Sequence, residues 1–126
     1  MPFRQAPVLE VVENDGKTTV LAQSNAIERY LANRFGLFGK DDLERARIDM
    51  ICEQCVELFD FVRRIYRKPD GEEKQAELER ALNETVLPGL QAVQRLFESA
   101  ENNSSKYLVG ECMSYADVKL VCFYDW

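Results

Sequence analysis

Thr18-Thr19-Val20-Leu21-Ala22-Gln23-Ser24-Asn25-Ala26-Ile27-Glu28-Arg29-Tyr30-Leu31-Ala32 changes its apolar period in mid-stretch. Thr18 to Ala22 is β-branched and short, which predicts a strand. Ile27, Tyr30, Leu31 and Phe35 then recur at helical spacing, and Ser24 suits the N-cap. Gly36 supplies the left-handed stop. Upstream, Pro7-Val8-Leu9-Glu10-Val11-Val12 is a second strand, and Asn14-Asp15-Gly16 is the turn between the two. The pair makes a β-hairpin. A two-stranded sheet with one helix is too small to stand alone.

Downstream the pattern is helical throughout. Leu37-Phe38-Gly39-Lys40 is a short linker, so the expected domains are residues 1–38 and 39–126. A long helix is expected from Asp42 to about Arg67, capped by Asp41 or Asp42, with Leu43, Ala46, Met50, Cys55, Leu58, Phe59, Val62 and Tyr66 buried. Arg63, Arg64, Arg67 and Lys68 crowd its C-terminal end, where the helix dipole favours cations without any anionic partner. After the Lys68-Pro69-Asp70-Gly71 loop, a third helix is expected from Glu72 to about Glu101. Leu78, Leu82, Val86, Leu90, Val93 and Phe97 form its apolar face, and a kink is expected at Pro88. Asn102 to Ser105 reads as a loop. A last helix begins at Ser114 and runs through Trp126. The order is β-β-α, then α-α-α, an α+β chain.

The 126 residues are 46% apolar and 30% charged, with no histidine and a net charge of −6. An acidic chain repels phosphate backbones, so nucleic acid is a poor partner. Lack of histidine removes Ser-His and Cys-His catalysis and the commonest zinc ligand. No apolar run reaches the roughly 18 residues of a membrane helix. Met1 to Val11 has no secretory h-region, so a cytoplasmic location with reduced thiols is expected. Cys52-Glu53-Gln54-Cys55 is formally a C-x-x-C, but it falls in mid-helix, away from the N-terminal dipole that activates redox pairs. Cys112 and Cys122 are ten residues apart and do not complete a zinc site. All four cysteines are expected as small core residues. The sequons at Asn83, Asn102 and Asn103 have no secretion signal behind them.

Three constellations carry specific physics. Ala6-Pro7 opens a strand. Spacing alone fits an ordinary trans bond, while a cis bond would present the preceding backbone to an extended peptide. Gln23-Ser24 stands at a helix N-terminus, which serves either as a plain cap or as a carboxylate site. Ser114-Tyr115-Ala116-Asp117 is an S-x-x-D capping box, with a structural role.

Pro7-Val-Leu-Glu-Val11, Leu21-Ala-Gln-Ser-Asn-Ala-Ile-Glu-Arg-Tyr-Leu-Ala32 and Tyr107-Leu-Val-Gly-Glu-Cys-Met-Ser-Tyr-Ala-Asp117, in this order, resemble the cytosolic glutathione transferases. Phe35-Gly-Leu-Phe-Gly-Lys40 and Ile48-Asp-Met50 fit the sigma-like branch, with prostaglandin D synthases and S-crystallins. The resemblance implies the C-terminal half of a thioredoxin-like domain followed by an incomplete all-helical domain. It implies glutathione as co-substrate, a small hydrophobic electrophile, a homodimer, a detoxifying transferase and no metal. It makes Pro7 the cis-proline, gives Ala6 the backbone pairing to the cysteinyl part with Gln5 beside it, and gives Gln23 and Ser24 the γ-glutamyl carboxylate. Glu57, or Glu53 one turn earlier, would reach across the dimer to the γ-glutamyl amine.

The same resemblance implies departures. Relatives carry a β-α-β-α segment before the cis-proline, with a tyrosine whose hydroxyl stabilises the glutathione thiolate. Neither Tyr30, Tyr66, Tyr107, Tyr115 nor Tyr124 maps to it, so no catalytic residue is assigned. Arg4 stands where relatives have glycine, and the hairpin turn is longer. The chain looks truncated at both ends, and conjugation by it alone is expected to be weak or nil. The alternative is a silent, S-crystallin-like binding or structural protein.

Overall fold

The computed structural model describes residues 2–99 and 106–124. They form two compact units, and the division falls between Phe38 and Gly39.

In the first unit β1 (Val8–Val12) pairs antiparallel with β2 (Thr18–Ala22), Val8 opposite Ala22 and Val12 opposite Thr18. The turn forms where Asn14-Asp15-Gly16 predicts it. Gly16 takes φ +81° and donates its N–H to the Glu13 carbonyl (2.9 Å), and the Lys17 N–H donates to Asp15 Oδ1 (2.9 Å). Upstream, Pro2–Arg4 make a tight turn that packs on β2, with Phe3 and Arg4 both left-handed at φ 58° and 51°.

Helix α1 (Ser24–Arg34) lies on both strands. Val11 and Ala32 are buried between them, with Leu9, Ile27 and Leu31 half-buried. Gly36, at φ +71°, ends the helix. Its N–H donates to the Asn33 carbonyl (3.3 Å) and the Leu37 N–H to the Ala32 carbonyl (2.8 Å), the paired bonds of a Schellman motif. Phe35 does not join the apolar face. It is the C-cap residue and is 71% exposed.

In the second unit α2 (Asp42–Tyr66) starts at Asp41, whose Oδ1 accepts the Glu44 N–H (2.9 Å). Such a cap contributes about 1 kcal/mol. Glu44 returns the favour one residue further out, accepting the Lys40 N–H (2.9 Å) and pairing with Lys40 Nζ (3.1 Å). The backbone and side-chain bonds from Lys40 hold the Glu44 carboxyl below the usual glutamate value, and the same pairing raises the Lys40 ammonium.

The buried face of α2 is Ile48, Ile51, Cys52, Cys55, Leu58 and Ile65, packed against α5 (Tyr115–Tyr124) and α3 (Glu72–Ala81). The expected face is right at Cys55 and Leu58 and wrong at its ends. Leu43 is 62% exposed, Met50 51% and Tyr66 54%, and Ala46 is exposed. Two apolar stripes run along this helix, and contact with the other helices selects the stripe through Ile48 and Ile51. The basic C-terminal cluster is tied to neighbouring groups of the same unit. Arg63 pairs with Asp60 (2.9 Å), Arg64 Nε donates to the Asp60 carbonyl (3.1 Å), and Lys68 Nζ bonds Glu77 on α3 (2.8 Å).

The expected third helix is interrupted. A π-helical turn, Leu82–Val86, separates α3 from α4 (Leu87–Phe97), with the Leu87 N–H donating to the Leu82 carbonyl. Pro88 is the cause. It has no N–H, and its ring collides with the carbonyl four residues back, that of Glu84, which lies inside this turn. The disruption therefore sits one turn before Pro88. Helix α4 ends at Phe97, with Glu98 as its C-cap, short of the expected end near Glu101. The expected loop at Asn102 to Ser105 and the continuation through Trp126 lie outside the described residues.

Candidate functional site

The hairpin register brings the two N-terminal constellations together. Val8 opposite Ala22 is the last pair of the ladder. One step outward lie Pro7 and Gln23, and one further lie Ala6 and Ser24. All four, and Gln5, are exposed. The Ala6–Pro7 peptide bond is cis, the alternative that spacing alone does not favour.

Gln23 departs from the simple cap reading. Ser24 is not the N-cap but the first helical residue. Gln23 holds the N-cap position, makes no side-chain cap bond, and sits at φ 73°, ψ 118°. A non-glycine residue there costs about 1–3 kcal/mol. The Ile27 N–H donates to the Gln23 carbonyl (3.0 Å). That leaves the N–H groups of Ser24, Asn25 and Ala26 with no intrahelical acceptor. Together with the Ser24 hydroxyl and the helix dipole, they suit a carboxylate.

Glu57 lies exposed on α2 in the helical unit, as does Glu53 one turn earlier.

Ser114 and Asp117 form a capping arrangement, with one difference. Asp117 Oδ2 accepts the Ser114 N–H (2.7 Å), the backward bond of a capping box. The Ser114 hydroxyl donates to the same carboxylate oxygen (2.7 Å), and Asp117 Oδ1 accepts the Leu108 N–H (2.9 Å). Asp117 thus ties the loop before α5 to its first turn and has a structural role.

Cys52 and Cys55 are buried in the core, as the mid-helix reading requires, and burial pushes the Cys55 thiol up, away from thiolate chemistry. Cys112 and Cys122 are exposed, so the core reading fails for them. Cys112 precedes α5 by three residues, and Cys122 falls on its solvent side. Among the described residues no group of three acidic, Cys or His side chains is placed to hold a metal ion. Nor is any helix among the described residues long and apolar enough to cross a membrane.

An apolar groove of about 260 Å³ also opens in the helical unit, lined by Val62, Tyr66, Leu78, Leu82, Val86 and Phe123. Sequence reading missed it because it assigns Val62, Tyr66, Leu78, Leu82 and Val86 to the apolar faces of two helices and leaves Phe123 unassigned. The interruption before Pro88 was the available signal.

Residues 57–126 match the family described as Glutathione S-transferase, C-terminal domain. Glutathione S-transferase 1 of Ascaris suum is 38% identical over 118 residues, 93% of this chain and 54% of that protein. S-crystallin SL11 of Nototodarus sloanii is 31% identical over 118 residues, 94% of this chain and 55% of that protein. The structure of prostaglandin synthase D of Nilaparvata lugens superposes with a TM-score of 0.74 at 31% identity, covering 98% of this chain and 58% of that one. The chain belongs to the glutathione S-transferase family. It spans about half the length of the curated relatives it matches. The S-crystallin and the prostaglandin synthase are of the kinds named with the sigma-like branch.

Proposed function

We propose that this chain carries the glutathione-anchoring half of a sigma-like glutathione transferase site. Residues 1–38 are the later part of a thioredoxin-like domain, and residues 39–126 belong to the all-helical domain. The Ala6 backbone beside Pro7 pairs with the cysteinyl part of glutathione, and Gln5 lies alongside. Gln23, Ser24 and the α1 N-terminus take the γ-glutamyl carboxylate. Glu57 serves the γ-glutamyl amine of the partner protomer in a homodimer. The full activity is attack of the glutathione thiolate on a small hydrophobic electrophile, in the cytoplasm, with detoxification as its outcome and no metal.

One observation carries the reading. The strained Gln23 and the open N–H groups of α1 lie at the same hairpin end as the cis Ala6–Pro7 step. Backbone strain of this kind concentrates at ligand clamps.

The chemistry needs one more group. A thiol near pH 7 becomes an effective nucleophile only when its thiolate is stabilised. Tyr30 lies on α1, its hydroxyl accepting from Arg34 (2.7 Å), while Tyr66, Tyr107 and Tyr115 belong to the helical unit. The family resemblance maps none of them to the thiolate-stabilising position. The 126 residues alone therefore bind glutathione without activating it. Conjugation of glutathione to a chlorinated nitrobenzene, followed spectrophotometrically, should stay at the solution rate. Turnover clearly above it would refute the claim of incompetence.

The same observation supports a second reading, a silent S-crystallin-like protein. Retained glutathione binding with no turnover, even when a co-expressed upstream half of a relative supplies a thiolate-stabilising hydroxyl, would favour it.

A further inference from the structure

We propose that Arg4 is a second carboxylate-binding residue of this site, reading the glycyl carboxylate of glutathione at the opposite end from the α1 N-terminus. The inference rests on the glutathione reading above and adds a residue and a specificity to it.

The backbone is the first observation. Phe3 and Arg4 are consecutive non-glycine residues in the left-handed region, at φ 58° and 51°. Glycine is the unstrained choice at such a φ. A long charged side chain stands there instead, and strain of this kind points to a use for the side chain. The turn holding it is packed on β2, so Arg4 has a fixed origin.

Charge and position are the second. Glutathione carries one carboxylate at each end. The α1 N-terminus is suited to only one of them. Arg4 lies two residues before Ala6, no more than about 7 Å of chain away. It is exposed, and no acidic residue occurs between residues 2 and 9 to neutralise it. The other cations of the first unit are badly placed. Lys17 is in the turn at the far end of the hairpin, and Arg29 and Arg34 lie beyond the first turn of α1. Among the described residues of this unit, Arg4 is the cation at the hairpin end. A guanidinium binds a carboxylate through two parallel N–H donors, which discriminates against an ester of the same size.

Calorimetric titration of the 126-residue chain with glutathione and with its glycine monoethyl ester tests this. The wild type should bind glutathione about tenfold more tightly than the ester, the size of one charge-assisted contact. R4A should lose that tenfold for glutathione and leave ester binding within about twofold. R4K should recover part of it. R4G, with an unstrained backbone, should show the same loss as R4A, which separates lost charge from disturbed folding. S24A should weaken both ligands alike. Equal weakening of both ligands by R4A, or none, overturns the role of Arg4 while leaving the glutathione site standing. A wild-type chain that binds neither ligand overturns the site itself, and Arg4 with it.

Discussion

Gln23 is where local stability and the proposed ligand binding pull apart. Its φ of 73° costs about 1–3 kcal/mol, and its side chain caps nothing. Gln23→Gly relieves the strain but adds about 0.5–1 kcal/mol of backbone entropy cost. We expect stability, measured by urea unfolding, to rise by about 1 kcal/mol while retention on immobilised glutathione falls. A loss of stability would show that the side chain holds the junction together. Glu44 gives a pH prediction. Its folded pKa is lowered by Lys40, so its contribution is present above the ordinary glutamate value of 4.5 and disappears as pH falls through the lower folded value. Lys40 is raised by the same bond, so its share is present below 10.5 and is lost as pH rises through the raised value. The melting-temperature difference between wild type and Glu44→Gln should be greatest between those two values and vanish in acid. A difference independent of pH would assign the effect to packing. At this scale the sequence was informative about residue identity and silent about backbone state. The Ala6-Pro7 spacing fits trans as well as cis, and neither Gln23 nor Arg4 is a residue type that signals a positive φ.

Helix α5 depends on one carboxylate at its start. Asp117 accepts from the Leu108 and Ser114 N–H groups and from the Ser114 hydroxyl. Asp117→Ala removes all three of these bonds and should cost about 2–3 kcal/mol in thermal unfolding. Ser114→Ala, which removes one bond, should cost about 1 kcal/mol. If the two cost the same, the link to Leu108 is worth nothing. The crossing of α4 on α2 turns on Gly89. A Cβ there would meet Leu58 Cδ2 at 2.8 Å and Cδ1 at 2.9 Å, and Leu58 is buried. Gly89→Ala gains about 1 kcal/mol of helix propensity but incurs about 1–3 kcal/mol of overpacking, a net loss of about 1 kcal/mol. In a Leu58→Ala background the space opens, and the same substitution should stabilise by about 1 kcal/mol. An unchanged sign would mean that the helices are not in contact at this point. Element types and most boundaries were legible because the periods switch cleanly from 2 to 3.6. The π turn was not legible, since Pro88 marks a disruption but not where the slack is taken up. The buried stripe of α2 was half legible, because Leu43 and Met50 compete with Ile48 and Ile51 until the neighbouring helices are in place.

For the molecule as a whole, the acidic charge and the absence of histidine excluded function classes and left the positive assignment to motif order. The family is legible because Leu21–Ala32 and Tyr107–Asp117 are both local stretches with strong capping and periodic signals. The site is legible only as residue identities, since the register of the hairpin is what brings Ala6-Pro7 beside Gln23-Ser24. Helix α5 is apolar nearly all the way round, and Val118 and Val121 on its outer side are exposed, Val121 by 61%. A helix of that kind is usually covered. The 126-residue chain should therefore bind an apolar fluorescent dye, and Val118→Lys with Val121→Lys should reduce that signal with little change in melting temperature. The central claim is that the hairpin end is a glutathione site, and equilibrium titration of the chain with glutathione tests it most directly. Saturable binding that weakens at least about tenfold in Gln23→Ala plus Ser24→Ala is the result predicted. Binding that is unchanged in the double variant would contradict it.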